Sequence, residues 1–150
     1  MAAKPDARAE EREGLLDGLV GYQLRRASNR MMSDFAATMG PLALRPVLFA
    51  MLEVIRSNPG IIQMGLGTEL GIQRANLVPL VNELTSRALI DRRPAPNDRR
   101  ALALHLTEAG LRLLDEAEAM VRAHEEKMLS ALSKSERNKL IELLGKIAAE

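Results

Sequence analysis

From Gly65 to Leu106 the apolar period changes from that of a helix to that of a strand, and few small folds accommodate that change. A short segment ends at Gly71 and a helical pattern opens directly after it, with Leu77, Leu80, Val81 and Leu84 at i, i+3, i+4 and i+7. This spacing lays a single apolar stripe along a helix and leaves Gln73, Arg74, Asn76, Asn82 and Glu83 off it. A β-like run at residues 89–93 follows, then a loop over residues 94–100, then an alternating run over residues 101–106. Helix, tight turn, helix and basic hairpin together describe a winged helix-turn-helix. In that arrangement the second helix enters the DNA major groove, and a basic loop reaches an adjacent minor groove.

The residue types fit this chemistry. Arg74 can bond guanine O6 and N7 together, Asn76 can bond adenine N6 and N7, and Gln73 at the helix start reaches a base or a phosphate. Arg99 and Arg100 form the tip of the hairpin, where a narrow minor groove of enhanced negative potential attracts arginine. Arg92 and Arg93 fall on its first strand, within expected reach of phosphates, and Arg87 extends the basic cluster. Pro79 is the discordant residue: it removes a helix N–H past the first turn and can kink the helix, which could tilt its C-terminal half away from the groove.

The flanking segments are helical. Leu16, Val20, Leu24, Ala27, Met31 and Phe35 recur at three- and four-residue steps, and Leu15, Leu19 and Tyr22 form a second stripe, so one long helix is expected up to Gly40-Pro41. Residues 1–13 read as a charged, frayed lead-in. Pro46 suits the first turn of the next helix, with Val47, Leu48, Met51, Leu52 and Ile55 buried and Asn58-Pro59-Gly60 as its stop. Residues 61–71 are expected to form a short helix weakened by Gly65 and Gly67. Thr107 is a plausible N-cap for a helix to about Leu132. Ser133-Lys134-Ser135-Glu136 is a capping-box pattern opening a last helix, with Leu140, Ile141, Leu144, Ile147 and Ala148 expected inside. Two apolar faces on the first and last of these helices suggest burial against a second copy.

Length and composition narrow the alternatives. At 150 residues, with 47% hydrophobic and 27% charged residues, the chain is expected to fold as one domain, or as one core plus an oligomerisation element. A net charge of +1 says little; the basic cluster at residues 87–100 says more. Zero cysteines exclude a disulfide framework, a thiolate metal site and a thiol redox sensor. His105 and His124 are the only histidines and lie on separate elements, so no metal site or catalytic triad is expected. The glycines of residues 65–71 lack the spacing, the preceding strand and the lysine of a nucleotide loop. No cofactor or catalysis is expected. With neither a bilayer-length apolar run nor a signal-peptide core, a cytoplasmic location is expected.

Residues 84–110 resemble the MarR family of bacterial transcription regulators. Asp98-Arg99-Arg100 matches its D-x-R wing, and Leu106-Thr107 with Gly110 matches its L-T-x-x-G step; the resemblance extends from about Leu15 to the end. It implies a mainly α fold with a small β-hairpin wing, with residues 45–106 as the DNA-binding lobe and residues 14–40 and 107–150 as dimerisation helices. It further implies a homodimer on a pseudo-palindromic double-stranded operator, with Arg100 as the wing arginine and Asp98 as the acid that holds it. Such regulators are commonly released by a small anionic aromatic effector. Arg25, Arg26, Arg30, Met31, Arg45 and Met51 are the candidates for that contact. Tyr22-Gln23-Leu24-Arg25-Arg26 with Leu44-Arg45-Pro46 looks like regulators of aromatic-acid catabolism, some of which answer to hydroxycinnamoyl-CoA thioesters. The competing class is a dimeric helical adaptor that binds protein and has lost DNA binding, with Pro79 and the glycines of residues 65–71 as its support.

Overall fold

The computed structural model describes residues 14–149, so the expected lead-in over residues 1–13 lies outside the described residues. The chain divides into two compact units, Met1–Asp34 and Phe35–Glu150. In the first, residues 14–18 are helical, Leu19 interrupts, and helix α1 (Val20–Met39) begins. One continuous helix from Leu15 is therefore not what forms. The Asp17 carbonyl accepts from the Gln23 side chain at 3.0 Å, and glycines at 18 and 21 flank the break, where backbone entropy opposes helix. Leu15, Leu16, Leu19, Val20 and Met32 are exposed.

In the second unit, the end of α1 buries Phe35 and Met39 before a 3-10 turn, Gly40–Leu42. Helix α2 (Pro46–Ser57) starts on Pro46 and buries Leu48, Met51, Leu52 and Ile55, four of the five residues of its expected stripe. Each such side chain contributes about 2 kcal/mol of apolar burial. Strand β1 (Ile61–Ile62) comes next, where a helix was expected to have begun. Its Ile61 pairs with Leu104 and its Ile62 with Ala103, so a free sheet edge captures these two residues before helix α3 (Gln63–Leu70) can include them. Ile62 caps α3 without a side-chain hydrogen bond, and Gly71 ends it at φ 63°.

Helix α4 (Arg74–Ser86) buries Leu77, Val81 and Leu84. Strands β2 (Ile90–Ala95) and β3 (Asp98–Leu106) form the hairpin, and the sheet order is β1-β3-β2. The hairpin is longer than its sequence suggests: Ala95 pairs with Asp98 after a shift at Pro94/Ala95, leaving only Pro96 and Asn97 as the turn. Helix α5 (Glu108–Met128) is capped by Thr107, whose hydroxyl accepts from the Gly110 N–H at 3.0 Å and donates to the Ala88 carbonyl at 2.7 Å. Arg56 of α2 reaches Glu53 at 2.8 Å and Glu118 of α5 at 3.2 Å. Burial opposes its charge, but Glu118 and Glu53 outweigh that and raise its pKa. Helix α6 (Lys134–Ala148) opens with the full Ser133–Glu136 capping box, yet buries no residue. Leu140, Ile141, Leu144 and Ile147, expected inside, are exposed.

This is a mainly helical winged helix-turn-helix, as the period changes require. Among the described residues no single helix is long and apolar enough to cross a membrane.

Candidate nucleic-acid interface

Two glycines set the geometry of the reading lobe. A Cβ at Gly67 of α3 would lie 2.9 Å from the Ile72 carbonyl oxygen and 3.1 Å from Leu77 Cδ2, so the turn into α4 closes onto bare backbone. A Cβ at Gly110 would meet the Leu89 carbonyl oxygen at 2.1 Å, which explains the glycine three residues after Thr107. The helix entropy that Gly67 was expected to cost is offset by the close approach it permits. Between α4 and the wing, Ala88 takes φ 55°, and the Thr107 N–H donates to Leu89 at 3.1 Å.

Pro79 does not end α4. The helix runs unbroken to Ser86, and Leu77 before the proline and Val81 and Leu84 after it all stay in the core. The C-terminal half is therefore packed in place against the core. The residue four before it, Ala75, is exposed, as is Pro79 itself, so water can satisfy the carbonyl that loses its partner.

A cleft of about 570 Å³ lies between the start of α3, the start of α4 and the wing. Arg74, Asp98 and Arg100 line it, with Gln63, Met64, Thr68 and Leu102. Two of its apolar residues are open to solvent, Met64 at 76% exposure and Leu102 at 40%. The structure thus brings the first-turn arginine of α4 and the wing arginine to one opening. Gln73, the α4 N-cap, and Asn76 are exposed beside it on the same helix. Arg99 is exposed on β3 but does not line the cleft. Among the described residues no carboxylate pairs with the guanidinium of Arg74, Arg99 or Arg100, which leaves these charges available to phosphate.

Other expected contacts are redirected. Asp98 holds Arg100 through its backbone: the Arg100 N–H donates to Asp98 Oδ1 at 2.9 Å, which fixes the wing turn and leaves the guanidinium free. Arg93 pairs with Asp91 at 3.3 Å. Arg92 is half-buried and donates to Asn82 Oδ1 of α4, while its Nε is buried without a partner. Arg87 leaves the basic cluster, because its guanidinium donates to the Ala43 carbonyl at 2.8 Å and the Leu42 carbonyl at 3.0 Å. Asn82, off the apolar stripe in the sequence, gains a wing partner that its spacing does not reveal; it lies three and seven residues after Pro79 and Ala75, opposite the buried stripe.

Of the effector candidates, Met51 is fully buried in the core and its side chain is committed to packing. Arg45 occupies the α2 N-cap and pairs with Glu83 of α4, neutralising an acid on the reading helix. Within the first unit, Arg25 and Arg26 are exposed with their guanidiniums 5.8 and 5.9 Å from the Tyr22 ring centre. Arg30 is exposed and Met31 half-buried.

Comparison with known proteins matches this architecture. The model of the MarR family matches residues 46–101, the span that holds both reading helices and most of the wing. A candidate transcriptional regulatory protein for the hcr operon of Thauera aromatica is 35% identical over 140 residues, covering 93% of this chain and 84% of that protein. The chain belongs to the MarR family. It is a MarR-type transcriptional regulator, and such regulators are generally non-enzymatic DNA-binding proteins. Among solved structures, the transcriptional repressor CouR bound to a 23-mer DNA duplex superposes with a TM-score of 0.87 at 36% identity, covering 91% of this chain and 96% of that one. CouR bound to p-coumaroyl-CoA gives 0.82 at 35% identity, with the same coverage of 91% and 96%.

Proposed function

We propose that this MarR-family protein is a homodimeric repressor that binds a pseudo-palindromic operator and is released by a small anionic aromatic effector, an aromatic acid or its CoA thioester. The observation that carries the DNA reading is the cleft that Arg74 and Arg100 share, where neither guanidinium forms an ion pair among the described residues. In this reading α4 enters the major groove, with Gln73, Arg74 and Asn76 toward the bases, and the wing presents Arg99 and Arg100 to the adjacent minor groove. Arg93 would have to exchange Asp91 for a phosphate to take part. Residues 14–40 and 107–150 are the proposed dimerisation helices, supported by the apolar face that α6 leaves uncovered.

The effector reading is supported by the likeness to CouR bound to p-coumaroyl-CoA. Arg25, Arg26 and Arg30 are the proposed partners for its anionic groups, because they are exposed on one helix. Release requires the effector to bind the DNA-incompetent state of the dimer more tightly than the competent one.

Fluorescence anisotropy against the DNA upstream of the protein's own gene, beside a scrambled duplex and across a salt series, tests the first part. Selective binding at two chains per site with a steep salt slope is expected. Weak, unselective binding would overturn it in favour of a helical adaptor. Adding p-coumaroyl-CoA, p-coumarate and CoA separately then tests release; no change in anisotropy with any aromatic acid or thioester would remove the effector reading.

A further inference from the structure

We infer that the outer face of α4 carries a thymine-reading strip, Ala75–Pro79–Asn82, in which Arg92 holds the Asn82 side chain as a hydrogen-bond donor. The inference rests on the proposed DNA reading and adds to it a base preference and a positioning residue.

The strip is defined by what it faces away from. Leu77, Val81 and Leu84 are buried, and residues 75, 79 and 82 lie on the opposite side of the helix, all exposed. They span roughly 10 Å of axis at 1.5 Å per residue, less than the ~12 Å width of the major groove. Two of the three offer only apolar side-chain surface, and exposed Val78 flanks them with more. Pro79 has no N–H, so its ring covers this part of the helix with carbon.

Asn82 supplies the polar end, and the chemistry of its partner fixes its orientation. A guanidinium only donates, so the Asn82 atom that meets Arg92 must be the amide oxygen. With Oδ1 engaged toward the wing, the amide group presents its NH₂ outward. With one of the two Oδ1 lone pairs held by Arg92, the paired donor-and-acceptor contact with adenine that a free asparagine makes is disfavoured. A donor one helical turn from an apolar ring suits a base that carries an acceptor beside a methyl group. In the major groove that base is thymine, with O4 and the C5 methyl. Arg92 is thus a positioning residue: its half-buried side chain leans on α4 and sets which face of the amide is shown.

The test uses the full chain and needs no prior operator. Selection from a randomised duplex library gives the half-site, and each thymine in it is then replaced by uracil, which removes only the methyl group. About fourfold weaker binding is expected at one thymine per half-site, the value of one buried methyl. In Pro79→Ala that penalty shrinks, because one methyl replaces the ring, while helicity is kept, since alanine is the better helix former. Asn82→Ala lowers the preference for thymine at that same position about fivefold, as loss of one hydrogen bond requires. Arg92→Ala frees the amide to rotate, so adenine gains on thymine there with the salt slope unchanged. A salt slope lower by about one with an unchanged base profile would make Arg92 a phosphate contact and overturn the inference. Selective binding indifferent to uracil, with wild-type profiles in Pro79→Ala and Asn82→Ala, would overturn it and leave the regulator reading standing. Failure to select any sequence would overturn both.

Discussion

Helices α4 and α6 carry apolar residues at the same helical spacings, yet α4 places Leu77, Val81 and Leu84 in the core while α6 buries nothing. The contrast lies in what each helix is packed against. Helix α4 sits between α3, β2 and the core, with its turns closed by Gly67 on one side and the Leu89 carbonyl region on the other. Helix α6 is tied back chiefly by Arg137, which donates to the Leu129 carbonyl at 3.0 Å and pairs with Glu126 at 2.7 Å. The reading lobe therefore holds its shape from within the chain. The last helix keeps an apolar face of Leu140, Ile141, Leu143, Leu144 and Ile147 that the described residues of one chain leave uncovered. In the proposed dimer the second copy covers it.

The largest effect on this contrast should come from Gly110→Ala, which drives a Cβ into the Leu89 carbonyl oxygen at 2.1 Å. Backbone cannot yield as a side-chain tip does, so a loss of about 3 kcal/mol is expected. In thermal unfolding that corresponds to a Tm roughly 10 °C lower. Next, Leu144→Asp should leave the lobe folded by circular dichroism but weaken self-association in sedimentation equilibrium by at least about thirtyfold, because a charge enters an apolar contact. An unchanged association constant would mean that α6 is simply an exposed helix. Third, Arg100→Ala should weaken operator binding about tenfold with stability unaltered, since its guanidinium has no partner within the lobe. Arg87→Ala, by contrast, should lower stability by about 1 kcal/mol through the two carbonyls it releases, with no change in base preference.

The smallest effect should be that of acid on α6. The Glu136 carboxyl is held below the ordinary glutamate range, first by the Ser133 backbone N–H and then by its side chain. A carboxyl depressed in the folded state stabilises above the unfolded glutamate pKa, and that contribution is lost as pH falls through the lower folded value. Amide protection factors at the start of α6, corrected for the intrinsic exchange rate, should therefore fall in acid in the wild type, and Glu136→Gln should flatten the dependence. Glu142, lowered by Lys146 and Lys139, adds a change of the same sign further along the helix.

Period and capping chemistry, both local, were legible from the chain alone. The stripe of Leu77, Val81 and Leu84, the stop at Gly71, the Thr107 cap and the Ser133–Glu136 box are all written in neighbouring residues, and each forms as its spacing requires. The basic hairpin after a helix pair was enough to announce a DNA reader. What stayed hidden depends on partners far away in sequence. Ile61 and Ile62 become a strand only because Leu104 and Ala103 offer a sheet edge. Arg87 turns into a clamp because Leu42 and Ala43 bring carbonyls to it, and Arg45 is occupied by Glu83. Asn82 acquires an orientation only when Arg92 arrives from the wing. Local hydrogen bonds and helical spacing are set by adjacent residues. Which polar side chains are already satisfied, and which remain open to a ligand, is decided when distant segments meet.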